Sequence, residues 1–124
     1  MALEKDCIAY QHGEIVPLIF RVYTESGIEF SVVPDPSRDG NIAYCDLMDE
    51  QGKHLKFLAA TIISDEPAEK QFICSWDTKA VAADTYYRLQ VWATVNVSGK
   101  CDQAGNMIIE GRLASEELLR YVRG

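Results

Sequence analysis

Apolar and polar residues alternate over several short segments of this chain, and a period of two residues is the period of a β-strand. Residues 14–23, EIVPLIFRVY, are one example. The residues on the apolar face are Val16, Leu18, Phe20 and Val22. The pattern predicts a strand that buries this face. Because Pro17 has no N–H to donate to a ladder, we expect the strand at the edge of a sheet, or beginning near Pro17.

The most regular alternation lies in the second half of the chain, in residues 72–76 and 87–95. One face of the second segment is apolar, and the other is polar apart from the indole of Trp92. Both segments are therefore predicted strands. The connection between them, residues 77–84, is long enough for one helical turn and no more.

Proline, glycine and aspartate mark the turns. Residues 34–41, PDPSRDGN, predict a loop, because proline presets φ and aspartate hydrogen-bonds to the backbone nearby. A strand over residues 42–48 and a return strand from His54 are predicted to follow. Gly52, in the turn between them, is expected to have a positive φ.

The end of the chain is predicted to form a last strand over residues 107–113 and a short helix within residues 113–124. Ser115 suits the N-cap, acidic residues follow it, and arginines occupy the last turn, up to residue 123, as the helix dipole favours. The apolar residues expected to dock this helix are Leu118, Leu119 and Val122.

Seven or eight strands with almost no helix before the C-terminus predict an all-β fold. We expect an antiparallel β-sandwich with a short C-terminal helix; a small barrel is the alternative. The chain has 124 residues, of which 48% are hydrophobic and 25% charged, so a single domain over residues 1–124 with one core is expected.

Residues 75–91 carry a resemblance to a known family. They read SWDT, a short loop, and then DTYYRLQV. This stretch resembles the E strand, EF loop and F strand of immunoglobulin-like β-sandwiches of the bacterial and phage type. The resemblance implies a tyrosine corner at Tyr87, or at its neighbour Tyr86, and we assign it to Tyr87, which shares the apolar face with Leu89. Since Leu89 stands where antibody domains have their second disulfide cysteine, the antibody-type bridge is not expected.

A second resemblance lies in residues 87–114, where YRLQVWATVNVSG is followed by a polar loop and NMIIEGRLA. This stretch is similar to the closing hairpin of small β-sandwich modules in phage tails, baseplates and head–tail joints. The similarity implies a structural component of a phage or prophage virion.

Charge narrows the range of partners. The formal net charge is −7 and no cluster of Lys and Arg stands out, which disfavours binding to nucleic acid or to an anionic membrane. No apolar run approaches the roughly 20 residues of a membrane helix. The first residues, MALEKDC, lack the apolar centre of a secretory signal, so we expect a cytoplasmic location, or the virion for a phage-encoded chain.

The cysteines are expected to be free thiols. Two disulfides would need an oxidising compartment, which nothing in the sequence indicates. Cys45 and Cys74 fall in apolar alternating segments, where a thiol packs as a small hydrophobe. The other two cysteines are Cys7 and Cys101, and no CxxC pair gives the usual zinc signature.

Motifs of common enzymes are missing: the sequence has no GxGxxG or Walker loop, no GxSxG elbow and no HExxH. His12 or His54 could still meet a Cys or Ser in space, but surface positions are expected for both. Acidic residues gather in predicted loops, where calcium binding competes with the ordinary turn-forming role of aspartate. These residues are Asp35, Asp39, Asp65, Glu66, Asp77 and Asp84. We expect no catalytic residue, cofactor or metal.

These observations favour a non-enzymatic structural or interaction module that binds protein partners or associates with itself. The expected contact residues are Trp92, Tyr23 and Tyr86. Trp92 could instead pack beneath a loop or the C-terminal helix. The alternative function is a carbohydrate- or ligand-binding β-sandwich, with the same aromatic residues as its platform. A small hydrolase or metal-dependent enzyme has the least support.

Overall fold

The computed structural model describes residues 7–124, so the expectation about a secretory signal, which rests mainly on residues 1–6, lies outside the described residues. The described chain forms strands and two short 3-10 turns, Pro36–Arg38 and Thr78–Ala80, and no helix of seven or more residues. The strands are β1 (Ile8–Gln11), β2 (Ile15–Tyr23), β3 (Ser31–Val32), β4 (Ala43–Met48), β5 (His54–Ala59), β6 (Thr61–Glu66), β7 (Glu69–Asp77), β8 (Thr85–Asn96), β9 (Gly111–Ala114) and β10 (Leu118–Arg123). The predicted all-β class is confirmed.

The strands form two sheets. The larger sheet has seven strands in the order β1-β10-β8-β4-β5, and β3 and β9 also pair with β8. The smaller sheet has three strands in the order β2-β7-β6. The β1–β10 ladder is parallel, and the ladders of β8 with its neighbours and of β7 with its neighbours are antiparallel. One apolar core draws its residues from both sheets.

The core follows the alternation of the sequence. Every second residue of β2 and β7 is buried against the inner face of β8. The buried residues of these three strands include Val16, Leu18, Phe20, Val22, Phe72, Cys74, Trp76, Tyr87, Leu89, Val91 and Ala93. Burying a large apolar side chain contributes about 1.5–3 kcal/mol, so these alternating positions account for most of the driving force for folding. The predicted inward faces of all three strands are confirmed.

The C-terminal helix prediction is wrong. Residues Leu118–Arg123 form strand β10, which lies between β1 and β8 and buries Val122 completely. Ser115 does not cap a helix: its buried Oγ accepts the N–H of Val91 at 2.9 Å. Two flanking ladders supply more hydrogen bonds and burial than an isolated nine-residue helix can, because short helices are marginal without tertiary contacts.

The strand predicted over residues 107–113 is only partly right, because β9 begins at Gly111. The edge prediction for the first strand is confirmed, since β2 is the outer strand of the smaller sheet. The hairpin prediction is also confirmed, because Gly52 has a φ of 85° between β4 and β5.

The loop between β7 and β8 is held by two buried hydroxyl groups. Thr78 is fully buried, and its Oγ1 accepts the N–H of Gly13 at 3.0 Å and donates to the carbonyl of Glu14 at 2.7 Å. The hydroxyl of Tyr87 donates to the carbonyl of Ala82, five residues earlier, at 2.9 Å. These bonds tie the loop to the β1–β2 turn and to the start of β8.

Replacing Tyr87 by Phe should lower the free energy of unfolding by about 1 kcal/mol, because it removes this hydrogen bond and keeps the ring. Tyr23, exposed on the smaller sheet, is the control, and Tyr23→Phe should change stability by less than about 0.5 kcal/mol. Urea unfolding of both variants makes the comparison. Equal effects would mean that the Tyr87 hydroxyl contributes nothing specific.

The thiols differ in their surroundings. Cys45 of β4 and Cys74 of β7 are fully buried, one from each sheet, and Cys101 is exposed; all three are free thiols. The hydrogen bond with Cys74, followed by burial, raises the pKa of Cys45. The Sγ of Cys7 donates to the carbonyl of Leu119 at 3.7 Å. The expectation of free thiols is confirmed for Cys45, Cys74 and Cys101.

Alkylation of the native protein should therefore modify Cys101 rapidly and leave Cys45 and Cys74 unmodified until the chain unfolds, because the reagent cannot reach a fully buried sulfur. A Cys7→Ser background removes the fourth site, and mass spectrometry of timed samples counts the labels. Rapid labelling of all three thiols in folded protein would contradict the burial of the pair.

Candidate functional site

The loop between β3 and β4 is organised by Asp35. Its Oδ1 accepts the N–H and the hydroxyl of Ser37 at 2.9 and 2.6 Å, and its backbone N–H donates to Asn41 at 3.0 Å. Asp39 closes the 3-10 turn with a φ of 56°, a left-handed conformation that Asp tolerates. The turn-forming role predicted for aspartate is confirmed here. The loop is consequently rigid at the point where it carries Arg38.

An ion pair fixes this loop to the larger sheet. Nη2 of Arg112, on β9, donates to Oδ2 of Asp35 at 3.1 Å. Asp35 is 2% exposed, and the hydrogen bond from Ser37, assisted by Arg112, holds its pKa below the ordinary value. The Asp35 hydrogen bond in turn raises the pKa of Arg112. The side chain of Thr94 adds a hydrogen bond to the carbonyl of Val33.

The loop places Arg38 over two aromatic rings of the larger sheet. Its Cζ lies 4.0 Å from the ring centre of Phe57 and 5.0 Å from that of Tyr44, and the two rings are 4.9 Å apart. Trp92 pairs with Tyr44 across the β4–β8 ladder. We call this region the arginine–aromatic surface. It is an open depression of about 530 Å³ lined by Arg38, Tyr44, Asp46, Phe57, Trp92 and Arg112.

Arg38 differs from the other charged groups of this surface. Asp35 pairs with Arg112, and Asp46 lies 2.5 Å from the ring nitrogen of His54. Arg38 forms no ion pair within the described part of the chain. Its Nη1 donates to the carbonyl of Ser37 at 3.0 Å, and its buried Nε has no hydrogen-bond partner. The guanidinium is held in place by stacking, with donors left for another group.

The structure separates the aromatic residues that the sequence grouped together. Trp92 is half-buried on the arginine–aromatic surface. Tyr86 is only 4% exposed and packs on Tyr121, so its ring offers little contact area. Tyr23 is 42% exposed but lies on the outer face of the smaller sheet, on the far side of the molecule. These three residues do not form one platform.

Sequence reasoning missed Arg38, Tyr44 and Phe57. One signal was available: in the predicted strand over residues 42–48, Tyr44 and Asp46 alternate with buried residues and must share the outer face. The stacking of Arg38 had no such signal, because it depends on the conformation of the loop and on the order of strands in the sheet.

Two other polar residues that the sequence singled out, His12 and Asp77, have structural partners. Nε2 of His12 lies 2.9 Å from the carbonyl of Val81. The carboxylate of Asp77 accepts the N–H of Lys79 at 3.0 Å, which is again the turn-forming role of aspartate. Among residues 7–124, no group of three or more His, Cys, Asp and Glu side chains could hold a metal ion.

Within the part of the chain that the structure describes, no helix has the length and apolar character needed to cross a membrane. No protein-family model matches the chain, and comparisons with curated proteins and with solved structures found no match. The site must therefore be interpreted from its own geometry.

Replacing Asp35 by Asn should lower the free energy of unfolding at neutral pH by about 1.5 kcal/mol, because it weakens charge-assisted hydrogen bonds. The folded pKa of Asp35 lies below the unfolded value of about 3.9, so its contribution is complete above that value and is lost as pH falls through the folded pKa. Urea unfolding at neutral and at acid pH should show the gap between wild type and variant closing in acid. Asp39→Asn, at an exposed left-handed position, is the control that should change little; a pH-independent gap for Asp35→Asn would contradict the ion pair.

Proposed function

We propose that this chain is a non-enzymatic interaction module that binds a carboxylate-bearing segment of a partner protein on the arginine–aromatic surface. The observation that supports this most directly is Arg38, a guanidinium stacked on Phe57 and Tyr44 without an acidic partner in the described chain. Arg, Trp and Tyr are the residues that most often dominate the energy of protein interfaces, and this surface holds all three.

The side chain of Arg38 is preorganised for binding. Free arginine side chains lose rotamer entropy on binding, whereas Arg38 is already held between its loop and the two rings. The planar fork of a guanidinium also matches the two oxygens of a carboxylate. A carboxylate that reaches Arg38 would meet N–H donors already in position. An apolar side chain next to that carboxylate in the partner could pack on the ring of Trp92.

Electrostatics favour a single acidic group over a polyanion. The whole chain carries a formal charge of −7, which repels the phosphate backbone of nucleic acid at long range. At short range Arg38 provides one uncompensated positive charge, since Arg112 on the same surface is neutralised by Asp35. A protein segment with one carboxylate next to an apolar side chain is the partner that fits this pattern.

We further propose that the fold is a β-sandwich of the immunoglobulin-like type. Support comes from β7 and β8, which follow each other in sequence yet lie in different sheets, as the E and F strands of that family do. The hydroxyl of Tyr87 bonds to the loop before its strand, as a tyrosine corner does. The virion setting rests on the sequence resemblance alone, and a second copy of the chain is one candidate for the protein partner.

A carbohydrate is the second candidate ligand. The depression is open and shallow, with the ring of Trp92 beside the carboxylate of Asp46 and the guanidinium of Arg112. An aromatic ring next to polar hydrogen-bonding groups is what a sugar requires of its site. This alternative makes Trp92 essential and leaves the charge of Arg38 without a specific role.

Selection of a displayed library of random peptides tests the proposal. We expect the selected peptides to contain Asp or Glu beside an apolar residue. Trp92→Ala should weaken their binding by about 2 kcal/mol, or roughly 30-fold in Kd. Arg38→Ala should weaken it similarly, and Arg38→Lys should not restore it, because an ammonium lacks the planar fork. Sedimentation of the wild type detects self-association through the same surface.

Arg21 supplies a matched control on the smaller sheet. It stacks on Tyr23 at 5.4 Å, but it is paired with Glu69, so Arg21→Ala should leave peptide binding unchanged. Urea unfolding of each variant separates lost binding from lost folding. Selected peptides without a carboxylate, or equal losses from Arg21→Ala and Arg38→Ala, would reject the proposal. Binding to a glycan array that Trp92→Ala abolishes, without peptide enrichment, would establish the carbohydrate alternative instead.

A further inference from the structure

A cavity opens at one side of the molecule, between the two sheets. Its volume is about 490 Å³, and we call it the side cavity. Its inner lining comes from β4, β5, β7 and β8 and is mainly apolar. The residues that form this lining are Leu47, Leu55, Lys56, Leu58, Trp76 and Tyr87. The volume lies within the range of roughly 300–1,000 Å³ that is usual for small-molecule sites.

The lengths of the strands explain why the cavity is open. The chain passes from β5 in the larger sheet to β6 in the smaller sheet at Ala60. The ladder of β6 with β7 begins at the pair Thr61–Ile73, whereas β2 pairs with β7 as far as Asp77. The last part of β7 is therefore uncovered on its β6 side, next to the edge of β5.

Two donor groups in the lining have no partner in the described chain. Trp76 is 1% exposed, and its indole Nε1–H is buried without a hydrogen-bond partner. Lys56 pairs across the ladder with the buried Leu47, so its side chain leaves β5 on the inward face. Among residues 7–124 Lys56 forms no ion pair. The cavity thus offers the Lys56 cation beside an apolar wall, while the indole N–H of Trp76 is buried behind that wall.

Asp77, the acidic residue at the rim of the cavity, does not neutralise the charge of Lys56. Asp77 alternates with the buried Trp76 and lies on the outward face of β7. Its Oδ1 caps the following 3-10 turn by accepting the N–H of Lys79 at 3.0 Å. The hydroxyl of Tyr87 is engaged with Ala82. The charged group left to meet a ligand is Lys56.

We propose that the side cavity binds a small amphipathic carboxylate, namely an apolar alkyl or aryl body with one carboxylate group. The apolar body lies against Leu55 and Leu58, the apolar residues of β5 that line the cavity and are not closed off in the core. The carboxylate accepts hydrogen bonds only, so it complements the Lys56 ammonium, which only donates them. Burial of the body provides most of the affinity, at about 0.8 kcal/mol for each CH₂, and the Lys56 ammonium selects for the anion.

This site is separate from the arginine–aromatic surface. Lys56 and Leu58 point between the sheets, whereas their neighbour Phe57 pairs with Asp46 on the outer face of the larger sheet. The two sites share a strand but no lining residue. Either proposal can therefore fail without affecting the other.

Calorimetric titration with octanoate and with 1-octanol tests the proposal, since the two molecules share the alkyl chain and differ in charge. We expect one saturable site for octanoate on the full chain. Lys56→Gln should weaken octanoate binding about fivefold, as for a partly exposed ion pair, and leave octanol binding unchanged. Lys53→Gln, an exposed lysine in the preceding turn, is the control and should affect neither ligand.

A second variant distinguishes loss of the binding site from loss of the folded structure. Leu58→Trp fills the cavity from an edge strand and should abolish binding of both ligands in a protein that still unfolds cooperatively in urea. In a Trp92→Phe background, the fluorescence of Trp76 should change on binding of octanoate. Absence of saturable octanoate binding in the millimolar range, or equal effects of Lys53→Gln and Lys56→Gln, would overturn the proposal.

Discussion

Strand β8 is the element on which the rest of the structure depends. It is 12 residues long and pairs with β10 and β9 on one side and with β4 and β3 on the other. Its inward residues, among them Leu89 and Val91, are completely buried, and its outward residues include Trp92. Because side chains alternate with a period of two, a slip of one residue would exchange these faces. The core and the arginine–aromatic surface are therefore fixed together by one register, and the hydrophobic cost of exposing the core keeps Trp92 on the outside.

The sequence predicts those parts of the fold that depend on local periodicity. The inward faces of β2, β7 and β8 follow from alternation alone, and Gly52 follows from the backbone geometry of a tight turn. The strand conformation of the C-terminal segment cannot be predicted in this way, because its capping residues indicate only that the isolated segment prefers a helix. Contacts with residues distant in sequence make this segment a strand. β10 pairs with β1, more than 100 residues earlier in the chain, and the hydroxyl oxygen of Ser115 accepts the N–H of Val91. Weak helix propensity is overridden when a ready ladder is available on both sides.

The two proposed sites lie beyond what periodicity can predict, for different reasons. The arginine–aromatic surface requires a loop conformation that depends on the contact of Asp35 with Arg112, 77 residues later in the chain. The side cavity results from strand lengths, since β6 pairs with only part of β7. Both sites also meet at β5, an edge strand whose ladder with β4 shifts register between Leu47 and Met48 and leaves Leu55 of β5 without a paired residue. An inward lysine on an edge strand hinders edge-to-edge association, so Lys56 has a protective role that is compatible with ligand binding.

The cations of the described chain divide into those that form an ion pair and those that do not. The arginines at positions 21, 88 and 112 each lie beside a carboxylate, as does the buried Lys70. Several cations form no ion pair among residues 7–124, among them Lys53, Lys79, Lys100, Arg120 and Arg123, so the lack of a pair is not by itself distinctive. Arg38 and Lys56 form no ion pair in the described chain, and each stands in a concave, partly apolar setting. Such a setting strengthens attraction to an incoming anion, because fewer water molecules screen the charge. Arg38 and Lys56 combine the lack of an ion pair with such a setting, and this combination is the physical basis for assigning binding to both places.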